Sequence, residues 1–191
     1  MGDPLRDRCP PRKWAAAQQV IEISNEIGHF NQLVEVMEAD LSALDAAKIP
    51  ANWREFPVTG TLNFGFVDAE NDVAALDISL EARVMAVCQR CLQPFELPLS
   101  TTLKLLLSGP ADDIVEHDGY EVWEFPEEAV RPIDIAAEAL VMALPLSAMH
   151  EDADDCVEIE AQNEAAIESA TVDERMTTPF AALRAQMDDE Q

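Results

Sequence analysis

Apolar and polar residues alternate along three successive stretches in the first half of the chain. The apolar sets are Val58, Leu62, Phe64 and Phe66; Leu76, Ile78, Leu80, Ala82, Val84 and Ala86; and Phe95, Leu97, Leu99, Leu103, Leu105 and Leu107. A period of two is typical of strands that bury one face. Three such runs in sequence predict an antiparallel meander, and a fourth hairpin is predicted around Asp118-Gly119, leading into residues 120–123.

Other stretches have the helical spacing of three and four residues. Between Phe30 and Ala47 the apolar positions are Phe30, Leu33, Val34, Met37, Leu41 and Leu44. Pro132 suits the first position of a second helix, which Pro145 stops. A short helix at 13–19 and a short strand at 20–23 precede both. The pattern predicts an α+β fold, in which helices pack on one face of an antiparallel sheet.

The predicted domain organisation has four parts. Residues 1–12 form an irregular lead-in with three prolines, and residues 13–150 form a single α+β domain. Residues 151–176 are acidic and lack aromatic side chains, which indicates a mobile linker. Residues 177–191 form a short C-terminal helix with Thr178 as its N-cap. The apolar face of that helix consists of Phe180, Leu183 and Met187.

The net charge of −26 is concentrated in the second part of the chain. Residues 1–109 hold 15 acidic and 9 basic residues, whereas residues 110–191 hold 23 acidic and 3 basic residues. Such a chain repels phosphate backbones, so DNA and unaided RNA are disfavoured partners and basic proteins are favoured ones. A need for solubility alone is an alternative explanation of the charge.

No apolar run suits a membrane span or a secretory signal, so we expect a cytoplasmic protein with reduced thiols.

A Cys-x-x-Cys sequence, Cys88 to Cys91, lies between the second and third predicted strands. Two cysteines at this spacing are typical of half a zinc site. His150 and Cys156, just after the second helix, are the candidates for the other two ligands. Their x₅ spacing is wider than usual for such a pair. Acidic residues at 151–155 also offer oxygen ligands. Two alternatives remain open: a redox dithiol, which lacks the βαβ context expected of thioredoxin-like motifs, or two ordinary thiols in a turn.

Sequence signatures of common enzymes are missing. The chain has no GxGxxG, Walker, GxSxG or HExxH sequence, and its six glycines do not cluster. This lowers the expectation of catalysis.

Cys9 has no evident partner, and we expect His29 and His117 to be solvated surface side chains. Arg90, between the cysteines, is either a forked donor for an anion or a solvated turn residue.

Three blocks of sequence carry a resemblance to a known family. They are Cys88-Gln89-Arg90-Cys91 with Pro94-Phe95; LVMALPLSAMH from Leu140 to His150, followed by Cys156; and Pro179-Phe180-Ala181-Ala182-Leu183. In order and spacing, from about residue 15 to 185, they resemble the YceD family, the large ribosomal RNA subunit accumulation proteins of bacteria and plastids. The family usually has Asn where Thr178 stands, and both residues cap helices.

The resemblance implies a cytoplasmic, non-catalytic factor that supports the accumulation of 23S ribosomal RNA. Because of its charge, we expect the chain to reach that RNA through a basic ribosomal protein or a pre-ribosomal particle. One alternative is an acidic holding partner for a single basic ribosomal protein. Another is a metal-dependent RNA-processing enzyme, although closure of the cysteine site by four ligands would argue against it.

Overall fold

The protein is an α+β structure built on one sheet, as the alternating pattern predicts. The computed structural model describes residues 3–68, 73–109, 117–125 and 128–156. Its strands are β1 (Val20–Glu26), β2 (Pro57–Asp68), β3 (Val73–Val87), β4 (Pro94–Ser108) and β5 (Glu121–Glu124). Its α-helices are α1 (Pro11–Ala16), α2 (Asn31–Leu41) and α3 (Pro132–Met142). Within the described ranges the strands lie in the order β1-β2-β3-β4-β5.

The first four strands form the predicted antiparallel meander, but β5 runs parallel to β4. Leu106 lies opposite Val122, and Leu107 lies opposite Trp123. The strand predicted at residues 120–123 is confirmed, at Glu121–Glu124, whereas its parallel pairing with β4 was not predicted. The other arm of the predicted hairpin at Asp118-Gly119 falls on residues 110–116, which lie outside the described residues. A parallel partner needs a longer connection than a tight turn, and residues 109–120 separate the two strands.

The core lies between one face of the sheet and the helices. Its fully buried members include Leu62, Leu76, Ile78, Leu80 and Val84 from the strands, Leu33 from α2 and Leu140 from α3. The apolar stripes predicted for the sheet and both helices are thus confirmed. Helix α2 is shorter than predicted and ends at Leu41. Beyond it, the Asp45 carboxylate accepts from the Ala47 N–H at 3.0 Å and caps a separate 3₁₀ turn, since Asp side chains compete with helix continuation.

The chain divides into two compact units, residues 1–151 and residues 152–191. The described part of the second unit, 152–156, contains the 3₁₀ turn Ala153–Cys156. Most of the predicted linker and all of the predicted C-terminal helix lie outside the described residues. None of the helices in the described part is long and apolar enough to cross a membrane.

Candidate metal centre

The turn between β3 and β4 carries both cysteines of the Cys-x-x-Cys sequence, as predicted. Strand β3 ends at Val87, and Pro94 opens β4, a position that needs no ladder donor. The Cys88 N–H donates to the Gln93 carbonyl at 2.9 Å, and the Leu92 N–H donates to the Cys88 carbonyl at 2.8 Å. These bonds close the turn and bring the two thiols to the tip of the hairpin.

The segment after α3 runs to the same tip. The Gln89 N–H donates to the Ala148 carbonyl at 2.8 Å, which joins the turn to this segment. Two residues later, the His150 Nδ1 lies 3.5 Å from the Cys91 Sγ. The His150 ring also lies 4.6 Å, centroid to centroid, from the ring of Phe95 at the start of β4. The imidazole is therefore positioned by a ring contact and by the backbone bond at Ala148.

Four ligand atoms come together, from Cys88, Cys91, His150 and Cys156. They all lie within 4.8 Å of one another, which confirms the predicted clustering. The three cysteines are buried and His150 is half-buried. No disulfide joins any cysteines in the described residues. The acidic side chains of Glu151, Asp152, Asp154 and Asp155 are exposed and do not belong to the cluster.

The donor set fits a metal of the zinc type. Thiolate and imidazole are the ligands that zinc prefers, and structural sites combine them as Cys₃His. With metal–ligand bonds of 2.0–2.3 Å, tetrahedral donors are about 3.3–3.8 Å apart, so the cluster needs only a slight contraction to hold an ion. The group can therefore bind a metal.

Hydrogen bonds prepare one of the thiols for this role. Burial raises the pKa of Cys88. Hydrogen bonds with the backbone of Cys91, His150 and Arg90, and one with the Cys91 side chain, lower the pKa by more than burial raises it. The net result is a pKa of about 6, against an ordinary value of 9.0. Because the thiolate is the form that binds metal, Cys88 is largely in its binding form at neutral pH.

Two supports of the turn were not predicted from the sequence. The Lys48 ammonium donates to the Gln93 Oε1 at 2.9 Å, across 45 residues of chain. The Gln93 side-chain amide in turn donates to the Cys91 carbonyl at 3.4 Å. The ring contact of Phe95 with His150 was also missed: Phe95 was counted as a strand position and as part of the first family block, and neither gives its contacts. No local signal in the sequence reveals contacts of this kind.

The remaining candidates lie elsewhere. Cys9 is half-buried, and its backbone pairs with Val130. His29 is exposed, as expected, and Arg90 is exposed as well. The expectation for His117 was wrong: it is half-buried, and its Nε2 is buried without a hydrogen-bond partner in the described part of the chain. Its neighbours in the sequence, 110–116, lie outside that part.

A comparison with known proteins gives one match. The family model described as "Large ribosomal RNA subunit accumulation protein YceD" matches residues 76–185. This range covers more than half of the chain and includes the cysteine turn, α3 and all four clustered donors. No curated protein and no solved structure matches the chain.

Proposed function

The chain belongs to the YceD family of large ribosomal RNA subunit accumulation proteins, and from this premise we propose that it is a non-catalytic ribosome-biogenesis factor supporting 23S ribosomal RNA. The observation that carries the proposal is the family match across residues 76–185. The proposal places the protein in the cytoplasm, where ribosomes assemble and thiols stay reduced.

The charge of the chain supports an indirect route to the RNA. The net charge is −26, and the solvent face of the sheet displays Glu22, Glu26, Asp77 and Glu81. Within the described residues, none of these four carboxylates forms an ion pair. Bare RNA would be repelled by such a surface, whereas a basic ribosomal protein would be attracted. The direct partner in this proposal is therefore a basic ribosomal protein, alone or on a pre-ribosomal particle.

The same charge favours a second candidate, an acidic holding partner for one free ribosomal protein. Two measurements together distinguish the biogenesis factor from the holding partner: affinity purification of the tagged chain with and without RNase, and gradient sedimentation. A biogenesis factor should co-sediment with precursors of the large subunit and retain a ribosomal protein after RNase treatment. A holding partner should retain that protein only in the light fractions. Loss of every ribosomal protein on RNase treatment would contradict both, since the contact would then run through RNA.

We further propose that Cys88, Cys91, His150 and Cys156 hold a structural zinc ion. Four protein ligands would fill a tetrahedral zinc, which leaves no position for a water or substrate. This favours a structural role and disfavours the RNA-processing enzyme. Bound there, zinc would join the β3–β4 turn to the segment that carries His150.

Cysteine substitutions test the zinc proposal. Cys88→Ser should abolish stoichiometric zinc, measured by metal analysis of the purified protein, and should lower Tm because the metal stabilises the folded state. Cys9→Ser is the matched control: it removes a half-buried cysteine outside the cluster and should keep the zinc. A wild-type protein without zinc, or a Cys88→Ser variant that retains it, would contradict the assignment.

A further inference from the structure

The hairpin turn that carries the cysteines is bordered by exposed apolar side chains. Among the described residues, the large hydrophobic side chains that are exposed are Val20, Leu92, Met142, Leu146 and Met149. Leu92 is 62% exposed, Met149 is 47% exposed, and Leu146 is fully exposed. Leu92, Leu146 and Met149 are here called the hairpin patch. Val20 belongs to β1, at the opposite edge of the meander from β4.

One backbone hydrogen bond and one side-chain contact join the two segments that carry the hairpin patch. Leu92 directly follows Cys91, whose Sγ lies 3.5 Å from the imidazole of His150. Met149 directly precedes that histidine. Leu146 lies two residues before Ala148, whose carbonyl accepts from the turn at Gln89. All of these residues belong to the first compact unit.

The backbone of Leu92 is in a conformation that a leucine rarely adopts. Its φ is 55°, in the left-handed region, where a side chain clashes with the following carbonyl and glycine does not. The Leu92 N–H bond to the Cys88 carbonyl holds this conformation as part of the turn, while the exposed side chain packs little within the protein. Non-glycine residues held in this region cluster at active sites, ligand clamps and switch regions, which supports a functional surface at the turn.

The charge around the patch indicates the chemistry of its partner. Glu151 and Asp152 follow His150 in the sequence and are exposed, as are Asp154 and Asp155. Arg90 in the turn and Lys48, which donates to the Gln93 side chain, are basic residues that stand against these four carboxylates. An apolar patch in an acidic setting is complementary to a segment in which apolar side chains stand among lysines and arginines.

We propose that the hairpin patch is a docking surface for such a basic, apolar segment of a large-subunit ribosomal protein. This inference rests on the proposed function and locates its partner contact. Long-range attraction to the acidic chain would bring the partner close, and burial of Leu92, Leu146 and Met149 would hold it. The turn is held by its own backbone hydrogen bonds and by Lys48, and such a preorganised surface loses little conformational entropy on binding.

Leu92→Gly tests the docking surface directly, because the same substitution removes the apolar side chain and relieves the backbone strain at this position. The probe is the set of RNA-free proteins extracted from purified large subunits of the same organism, with each retained protein identified by mass spectrometry. Affinity for the protein that wild type retains should fall at least about tenfold, as for a central interface residue. Tm should stay the same or rise, because glycine adopts this φ without strain.

Leu146→Ser provides a second measurement at a fully exposed position, and Val20→Ser is the matched control. Leu146→Ser should weaken binding without changing Tm, and Val20→Ser should change neither. If Leu92→Gly and Leu146→Ser bind like wild type, the docking surface is overturned and the proposed function stands. A large fall in Tm for Leu92→Gly would also overturn it, since Leu92 would then pack within its own domain. If wild type itself retains no ribosomal protein, the proposed partner is overturned together with the surface.

Discussion

At Gly60 the neighbouring strand β3 lies too close for a side chain to be tolerated. Its φ is 152°, and a Cβ added there would lie 2.1 Å from the Ser79 carbonyl oxygen and 2.9 Å from the Leu80 Cα. Both neighbours are backbone atoms in the adjacent strand, so neither can move aside without breaking the ladder.

Gly60→Ala should therefore lower the free energy of unfolding by more than about 3 kcal/mol, the range of severe backbone and packing clashes. Gly65→Ala, in the same strand, is the control, because its added Cβ would meet nothing within 4 Å. The control should change the free energy of unfolding by less than about 0.5 kcal/mol. Urea denaturation of both variants makes the comparison, and equal effects would contradict the account of Gly60.

The low pKa of Cys88 predicts how the stability of the metal-free protein depends on pH. The pKa is about 6 in the folded chain and 9.0 ordinarily, so the folded state favours the thiolate. The stability gained from this is complete above about pH 9, declines as the pH falls, and is lost below about pH 6. The difference in urea midpoint between metal-free wild type and Cys88→Ser should therefore shrink from pH 9 to pH 6. A constant difference would contradict the prediction.

Among single residues, the sequence predicts the clustered donors better than their surroundings. Cys88 and Cys91 are recognisable because their spacing is local, and His150 and Cys156 because no other histidine or cysteine follows the second helix in the sequence. The contact between Lys48 and Gln93 joins residues 45 positions apart, and the ring contact of Phe95 depends on how the chain returns from α3. Both follow from tertiary packing, which no short pattern encodes.

Among the described α-helices, α3 buries the most residues, seven of its eleven. Leu140 is fully buried, whereas Met142, two residues later on the same helix, is 55% exposed. Leu140→Ala should cost about 2–5 kcal/mol of unfolding free energy, because it leaves a cavity in the core. Met142→Ala, the control, should cost less than about 0.5 kcal/mol. Thermal or urea denaturation measures both. A small effect at Leu140 would contradict the prediction, since neighbouring side chains would then have closed the cavity.

The strands and helices were predictable as elements, but some of their ends and directions were not. A period of two identifies a strand and says nothing of its direction, so the parallel pairing of β5 with β4 was not predicted. The 12 residues between Ser108 and Glu121 are long enough to return the chain for a parallel pairing. The apolar spacing of α2 continues to Leu44, but the Asp45 cap starts a new turn there. Local side-chain competition thus determined where the helix ended.

For the molecule as a whole, two properties are joined in one chain. The sheet ends in a turn that carries two thiols and an exposed leucine, and the chain has a net charge of −26. In the proposed role, the charge would attract basic partners over a distance and the turn would offer a small surface to hold them. Together these suit a factor that works by binding a ribosomal protein during assembly of the large subunit.

The ratio of 23S to 16S ribosomal RNA in cells that lack the gene tests the proposed role in accumulation of the large-subunit RNA. This ratio should fall in the deletion strain and return to normal when a wild-type copy is supplied. The 16S RNA serves as the internal reference, because a general fall in transcription would lower both. An unchanged ratio in the deletion strain would contradict the proposed function.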